Sequence, residues 1–325
     1  MQLYNTYEVI FKKEYLGVHI NKVLIFGSNG LVGKSLNKII SRTGAYDVIP
    51  STRNDTNLFS LEETRKKIEE ENPSIIVNAA ARVGGIYANN TKRTEFIMEN
   101  LKINMNILES IIENKEIQFI NLGSSCIYPL DAPNPIKESS FMDGKLEPTN
   151  SPYAMAKLSA IEIGRSISTQ HGHKITNLMP TNLYGPNDFF SKSDSHVIPG
   201  MMFRMYSSMI DKESEFSIWG SGKPLREFLY VDDLAKAILH IIENEIDEDL
   251  INVGSGHEIS INDLGLLIKK VVGYEGNVVF DGSKPDGNPR KLLDSTLINN
   301  LGWNSSVSLE DGLTKTFGWF KENII

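Results

Sequence analysis

The chain has 325 residues, of which 40% are hydrophobic and 23% are charged, a balance typical of one large α/β domain or two smaller ones. Its net charge of −8 argues against a nucleic-acid-binding protein. The single cysteine, Cys126, excludes an intramolecular disulfide, and no apolar run is long enough to span a bilayer. We therefore expect a cytoplasmic protein that binds neither membranes nor nucleic acids.

The first predicted element follows an N-terminal extension of residues 1–20. It is a buried parallel strand, Lys22–Phe26, which leads directly into the glycine-rich turn Gly27-Ser-Asn-Gly30-Leu-Val-Gly33 and a helix over 34–42. Strand, glycine turn and helix in this order predict a dinucleotide-binding site. The glycines let the backbone approach the pyrophosphate, and the helix offers free N–H groups to phosphate. The alternative is an ordinary glycine-containing loop between a strand and a helix.

The residue after the second predicted strand (47–52) indicates which dinucleotide binds. Arg53 stands where an acidic residue would hold the ribose 2′-hydroxyl of NAD, and an arginine there accommodates the 2′-phosphate of NADP. Arg53 therefore favours NADP(H), although Asp55, two residues further on, keeps NAD open as the alternative.

The remaining elements predict the fold class. Strands are expected at 74–77, 118–122, 174–179 and 250–254, with long helices at 94–113 and from Tyr153 to about His171. This alternation predicts an α/β fold, a Rossmann-like doubly wound parallel sheet with a smaller α+β substrate-binding domain. We assign 21–180 and 226–255 to the nucleotide-binding domain, and 181–225 and 256–325 to the substrate-binding domain. The methionine-rich helix after residue 199 is expected to pack in a core.

Tyr153 and Lys157 form the stretch around which the chemistry is organised. They are four residues apart, so a helix places them on one face, one turn from each other. A lysine ammonium close to a phenol favours the phenolate and lowers the pKa of the tyrosine. Such a pair can exchange a proton in carbonyl–alcohol interconversion. A partly buried tyrosine on a surface helix is the alternative interpretation.

With these residues identified, the chain resembles the extended short-chain dehydrogenase/reductases, and within them the GDP-L-fucose synthase family. The resemblance covers nearly everything after about residue 21. It is carried by GSSCIYP at 123–129, LEPTNSPYAMAK at 146–157, MPTNLYGP at 179–186, SHVIP at 195–199, WGSGKPLREF at 219–228 and KPDGNPRKLLD at 284–294. It implies an NADPH-dependent enzyme that epimerises carbons 3 and 5 of a GDP-4-keto-6-deoxymannose-type sugar and reduces carbon 4.

The resemblance also implies roles for five residues. Tyr153 would donate a proton to the oxygen on carbon 4, and Lys157 would lower its pKa and hold the nicotinamide ribose. Ser124 would hydrogen-bond the substrate carbonyl. Cys126 and His196 match the base and the acid of epimerisation, respectively.

Two further sets complete the predicted site, for which we expect no metal. The predicted cofactor-binding residues are Gly27, Ser28, Asn29, Gly30, Leu31, Val32, Gly33, Arg53, Asn57, Leu58, Ala80, Lys157, Pro180, Asn182, Leu183 and His196. The predicted GDP-sugar-binding residues are Arg204, Trp219, Arg226, Asp286 and Lys291.

The chain departs from the family pattern at three places. Asn29 stands where the family usually has arginine, Ser151 where it usually has glutamate, and residues 1–20 have no counterpart. These departures leave open a reductase of a GDP-4-keto-6-deoxy-heptose in capsule or surface polysaccharide synthesis. A third hypothesis is a non-catalytic dinucleotide sensor, against which the Ser124, Tyr153 and Lys157 set argues. By resemblance we also expect a homodimer formed through the helix at 94–113 and the Tyr153 helix.

Overall fold

The computed structural model describes residues 21–192, 194–283 and 286–325. The predicted N-terminal extension and the first two residues of the motif at 284–294 lie outside the described residues. The strands, in chain order, are β1 (Asn21–Phe26), β2 (Tyr46–Ser51), β3 (Ile75–Asn78), β4 (Gln118–Leu122), β5 (Ile175–Pro180), β6 (Asn182–Tyr184), β7 (Glu215–Trp219), β8 (Leu225–Tyr230), β9 (Leu250–Val253), β10 (Glu258–Ser260), β11 (Asn277–Asp281) and β12 (Arg290–Lys291). The helices are α1 (Leu31–Thr43), α2 (Leu61–Glu71), α3 (Ile86–Thr91), α4 (Arg93–Ile111), α5 (Ser151–His171), α6 (Val197–Ile210), α7 (Val231–Glu243), α8 (Ile261–Val272), α9 (Thr296–Asn300) and α10 (Leu309–Asn323).

Six parallel strands form the main sheet of the described part of the chain, in the order β2-β1-β3-β4-β5-β9. The chain begins in the middle with β1, adds β2 on one side, and then crosses over to add β3 on the other. The gap between the carboxyl ends of β1 and β3 is therefore the topological switch point, where open α/β sheets bind their ligands. The predicted Rossmann-like parallel sheet is confirmed.

Apolar side chains cover both faces of this sheet. Along β1, Val23 and Ile25 join a core that includes residues of α1 and α7, whereas Leu24 and Phe26 join a second core with residues of α2 and α4. All four side chains are fully buried. Burial on both faces is what a continuous apolar run in a parallel strand predicts. Since helices cover both faces, the sheet is doubly wound.

The smaller unit is built around β8, which pairs with β6, β10 and β12. Strands β7 and β11 form a separate parallel pair. The core of this unit contains Met201, Met202 and Met205 of α6, all buried, together with aromatic side chains such as Phe216 and Phe320. The methionine-rich helix is thus a packing element, as predicted.

The chain passes between the two units more often than the predicted domain limits allow. Strand β8 falls in the stretch assigned to the nucleotide-binding domain, but it pairs with strands of the smaller unit. Conversely, Ile298 and Trp303, in the stretch assigned to the substrate-binding domain, pack into the core of the main sheet. The limits 21–180 with 226–255 and 181–225 with 256–325 stay a proposal for how binding is divided. Among the helices of the described residues, none combines the length and apolarity that crossing a membrane requires.

Candidate active site

The glycine turn lies at the switch point of the sheet. Gly27 has a φ of 75°, and a Cβ there would come within 2.6 Å of the Ala80 backbone nitrogen, so this position requires glycine. Gly30 precedes α1 without a side-chain cap, which leaves the first N–H groups of the helix available to a ligand. The hydroxyl of Ser28 is buried and has no hydrogen-bond partner among the described residues. An uncapped helix N-terminus beside an unpaired hydroxyl fits the phosphates of a dinucleotide.

Arg53 and Asp55 differ in their surroundings. The Asp55 carboxylate accepts hydrogen bonds from the Thr52 backbone nitrogen at 2.8 Å and the Thr52 hydroxyl at 2.6 Å. These bonds hold the pKa of Asp55 below its ordinary value. Arg53 is exposed, with its guanidinium carbon 5.6 Å from the centre of the Phe59 ring. Asp55 is therefore engaged by its own turn, and Arg53 is the residue free to meet a ligand.

The other predicted cofactor residues differ in accessibility. Asn29 and Asn57 are exposed, Pro180 is buried at the end of β5, and the partly exposed group consists of Leu31, Val32, Leu58, Ala80, Asn182 and Leu183.

Buried asparagines, which the sequence reasoning missed, hold the loop after β3. Asn78 donates to Asn104 at 3.0 Å, and its own side-chain oxygen accepts from the Ala80 nitrogen at 3.0 Å. Asn100 exchanges two 3.0 Å hydrogen bonds with the backbone of Arg82. The available signal was the pair of asparagines four residues apart on an otherwise apolar face of α4.

Ser124 and Cys126 follow the end of β4. The Ser124 backbone is extended, and its hydroxyl accepts a hydrogen bond from the Cys126 nitrogen at 3.2 Å, which caps a single 3₁₀ turn over Ser125–Ile127. The cap fixes the position of Cys126 relative to Ser124 at the carboxyl end of β4. Both side chains are thus placed by the same local turn.

Tyr153 and Lys157 lie one turn apart near the start of α5, as predicted. Lys157 is almost completely buried, and its ammonium donates to the Leu122 carbonyl oxygen at 2.6 Å. Its Nζ atom lies 5.8 Å from the centre of the Tyr153 ring. Burial lowers the pKa of Lys157 to about 8, because low dielectric surroundings disfavour the charged form.

The predicted effect of Lys157 on the pKa of Tyr153 is not what the structure shows. The pKa of Tyr153 is raised, first by burial and second by the negative charge that Cys126 can carry, while an interaction with the Ser124 hydroxyl opposes the rise. The lysine ammonium is directed to the Leu122 carbonyl, so it does not offset the burial. A raised pKa keeps the phenol protonated, which is the state that a proton donor needs.

Cys126 is a half-buried free thiol with nitrogen donors close to its sulfur. The Lys291 ammonium lies 3.6 Å from the sulfur, and the Asn150 side-chain nitrogen lies 3.5 Å from it. Lys291 reaches this place from β12, where it pairs with Arg226 of β8. An ammonium beside sulfur stabilises negative charge there, as a thiol that removes a proton requires.

His196 occupies the N-cap position of α6 and faces the carbonyl of Gly84. The ring stays accessible to solvent although it is set deep among protein atoms, and these surroundings lower its pKa while the Gly84 carbonyl opposes the fall. The Phe96 ring lies between this region and Tyr153. It meets the Tyr153 ring edge-on, with the ring centroids 6.3 Å apart. It also lies next to Gly84, since a Cβ added to that glycine would be 3.2 Å from the Phe96 ring. An uncharged imidazole must gain a proton before it can act as the predicted acid.

The predicted sugar-nucleotide residues form two neighbouring groups. Arg226 and Lys291 are paired on β8 and β12, and the Lys291 ammonium lies beside Cys126. Arg204 stacks with its guanidinium carbon 5.2 Å from the centre of the Trp219 ring, and half of the Trp219 surface is exposed. Asp286 links the groups, because it accepts from Ser221 at 2.6 and 2.8 Å and its charge raises the pKa of Arg226 against the lowering effect of burial.

Together these features define the class of protein. A dinucleotide cradle at the switch point and a tyrosine–lysine pair beside a serine are the parts of a short-chain dehydrogenase/reductase site. Residues 23–254 match the NAD dependent epimerase/dehydratase family, and the chain belongs to this family. The predicted resemblance is thereby confirmed.

Similarity extends over nearly the whole length of individual relatives. The GDP-L-fucose synthase of Escherichia coli (strain K12) is 43% identical over 311 residues, which cover 93% of this chain and 97% of that protein. A GDP-L-fucose synthetase of Naegleria fowleri, solved with NADP bound, has a TM-score of 0.83 and 27% identity, covering 94% of this chain and 95% of that one. A GDP-6-OMe-4-keto-L-xylo-heptose reductase from C. jejuni has a TM-score of 0.86 and 27% identity, covering 93% of this chain and 98% of that one.

Proposed function

We propose that this chain is an NADPH-dependent enzyme that epimerises carbons 3 and 5 and reduces carbon 4 of a GDP-4-keto-6-deoxymannose-type sugar, yielding GDP-L-fucose. The observation that carries the proposal is the clustering of Cys126 with the Lys291 ammonium and with Tyr153. Cys126 is close enough for its charge to act on the Tyr153 phenol, so a sulfur for proton removal and a phenol for proton donation lie near each other. The 43% identity to the GDP-L-fucose synthase of Escherichia coli supports the same substrate.

In the epimerisation half, Cys126 removes a proton next to the ketone. A ketone at carbon 4 makes the protons on carbons 3 and 5 acidic, and donors around its oxygen stabilise the enolate that results. Ser124 and Tyr153 would be those donors. His196 returns a proton from the opposite side of the sugar after it has itself been protonated, and this return inverts the carbon.

In the reduction half, Tyr153 donates its proton to the oxygen on carbon 4. Its raised pKa keeps the phenol protonated until charge develops on that oxygen. When bound, the dinucleotide supplies the hydride that reduces the ketone. Lys157, held by the Leu122 carbonyl, would contact the ribose of the cofactor.

The proposed cofactor is NADP(H). Arg53 is exposed at the end of β2, whereas the Asp55 carboxylate is engaged by Thr52. A guanidinium binds a 2′-phosphate through charge-assisted hydrogen bonds. The Naegleria fowleri synthetase structure with NADP bound supports this choice.

The proposed GDP-binding surface uses the two groups of cationic side chains. Arg226 and Lys291 would neutralise the diphosphate, because they are cationic side chains opposite each other on paired strands. Arg204 and the exposed Trp219 ring offer a flat surface on which a base can stack. Asp286 holds the turn that carries Trp219 through its two bonds from Ser221.

A second candidate function is the reduction of a GDP-4-keto-6-deoxy-heptose. The C. jejuni heptose reductase favours it through a TM-score of 0.86 over nearly the full length. It would use the same Tyr153 and Lys157, without proton exchange at carbons 3 and 5. A non-catalytic dinucleotide sensor has less support, because it needs neither the buried Lys157 nor the ammonium beside Cys126.

We also propose that the protein is a cytoplasmic homodimer. Helices α4 and α5 pack side by side, and each exposes methionine to solvent: Met98 and Met105 on α4 and Met155 on α5 are each about half exposed. Burial of this apolar surface against a second copy would form a four-helix interface.

The proposal is tested by separating the two half-reactions. Tyr153→Phe removes the proton donor and is expected to slow NADPH oxidation by about 10²–10⁴-fold, while solvent deuterium still enters carbons 3 and 5. Cys126→Ser is expected to abolish that deuterium incorporation. If Tyr153→Phe left NADPH oxidation at the wild-type rate, the proposed reduction would be wrong.

A further inference from the structure

Glu227 is a fully buried carboxylate that no proposed role uses. It follows Arg226 on β8, and its two oxygens accept hydrogen bonds from two distant segments: Oε1 from the Gly256 nitrogen at 2.8 Å and Oε2 from the Leu293 nitrogen at 3.1 Å. Burial raises its pKa, and these hydrogen bonds oppose the rise. Burial of a carboxylate lowers the stability of the fold unless hydrogen bonds compensate. The role of Glu227 therefore depends on which segments these hydrogen bonds hold.

The space around the carboxylate fixes its position. A Cβ on Gly254 would overlap the carboxylate, so the Glu227 side chain fills the room that Gly254 leaves. The main-chain oxygen of Glu227 also accepts from the side chains of Asn182 at 2.8 Å and Thr181 at 3.2 Å. Glu227 therefore ties the ends of β5 and β9 to the segment that follows β12.

The segment that Glu227 holds is the one that carries Lys291. Strand β12 has only two residues and pairs with β8 so that Lys291 lies opposite Arg226. Backbone contacts with Asn134 and Ile136 hold the outer side of the residues that follow β12. The bond from Leu293, two residues after Lys291, is the buried and charge-assisted contact that holds these residues to β8.

We propose that Glu227 is a positioning residue that holds β12 on β8 and thereby keeps the Lys291 ammonium against the Cys126 thiol. The inference deepens the proposed function, because it concerns the thiol to which that function assigns proton removal. Three contacts connect Glu227 to the thiol. The Glu227 carboxylate binds the Leu293 nitrogen, Leu293 follows Lys291 by two residues, and the Lys291 ammonium lies 3.6 Å from the Cys126 sulfur.

Thiol reactivity tests this inference without any substrate. Cys126 is the only cysteine of the chain, so alkylation by iodoacetamide reports on this thiol alone. Because the Lys291 ammonium lies 3.6 Å from the sulfur and supports negative charge there during the reaction, Glu227→Gln is expected to slow alkylation at fixed pH by about tenfold. Lys291→Met should slow it as much. Glu215→Gln, on the exposed edge of β7, is the matched control and should leave the rate unchanged.

A double-variant cycle makes the test specific. If Glu227 acts through Lys291, adding Glu227→Gln to Lys291→Met changes the rate no further. If Glu227 has only a general structural role, its loss loosens the site and exposes the sulfur, so alkylation accelerates or the two effects add. Either of these results overturns the inference.

A milder variant covers the case in which Glu227→Gln does not fold. Glu227→Asp keeps the charge but is too short to reach both segments, and it should slow alkylation in the same direction. An unchanged rate in a folded Glu227→Asp protein would refute the inference. Because no sugar nucleotide is present, failure of this test is distinguishable from failure of the proposed reaction.

Discussion

Replacement of Lys157 by methionine tests the electrostatics of the site. The pKa of Lys157 falls from 10.5 to about 8 on burial, so the charged ammonium destabilises the folded state. At neutral pH this cost is about 3 kcal/mol, at 1.36 kcal/mol for each pKa unit. Between pH 8 and 10.5 the unfolded chain binds more protons than the folded chain, so the wild type gains stability as the pH rises.

Lys157→Met removes this pH-dependent cost, whereas the loss of the hydrogen bond to Leu122 is independent of pH. The difference in unfolding free energy between the variant and the wild type should therefore shift by about 2 kcal/mol, in favour of the wild type, between about pH 7.5 and about pH 9.5. Urea unfolding at several pH values measures it, with the exposed Lys115→Met as the control for the loss of one positive charge. A difference that stays constant over this range would show that burial does not lower the pKa of Lys157.

Three further predictions concern binding and assembly. Gly27→Ala should abolish dinucleotide binding in calorimetry, because its Cβ would clash with the Ala80 backbone. The control is Gly44→Ala, at a glycine that also has positive φ but has open space around it; this variant should lose only ~1 kcal/mol of unfolding free energy in urea. Arg53→Ala should weaken NADPH binding by about tenfold or more and leave NADH binding nearly unchanged; equal losses would remove Arg53 from the 2′-phosphate site. Met155→Asp should convert the proposed dimer to a monomer in analytical ultracentrifugation, and a persistent dimer would place the interface elsewhere.

The main elements could be predicted because their signals are local. The apolar run Lys22–Phe26 and the glycine turn after it place β1 and α1, and the predicted strand at 118–122 coincides with β4. The predicted return of the chain to the main sheet at 250–254 is confirmed by β9, which pairs with β5. These stretches are either buried on both sides or shaped by glycine, and both conditions are visible in sequence.

The long-range ties could not be predicted, because no short pattern records them. The contact between Lys291 and Cys126 joins residues 165 positions apart, and it depends on the pairing of β12 with β8. The direction of the Lys157 ammonium depends likewise on the Leu122 carbonyl, which the spacing of Tyr153 and Lys157 does not reveal. That is why the predicted lowering of the Tyr153 pKa was wrong although the helix and its spacing were correct.

The proposed reaction is best tested by turnover of GDP-4-keto-6-deoxymannose with NADPH in deuterium oxide, with the product examined by NMR. We expect NADPH oxidation and GDP-L-fucose that carries deuterium at carbons 3 and 5, because Cys126 and His196 exchange those protons with solvent before Tyr153 completes reduction. Reduction without deuterium at these carbons, or no turnover of this sugar, would overturn the proposed function and favour the heptose reductase.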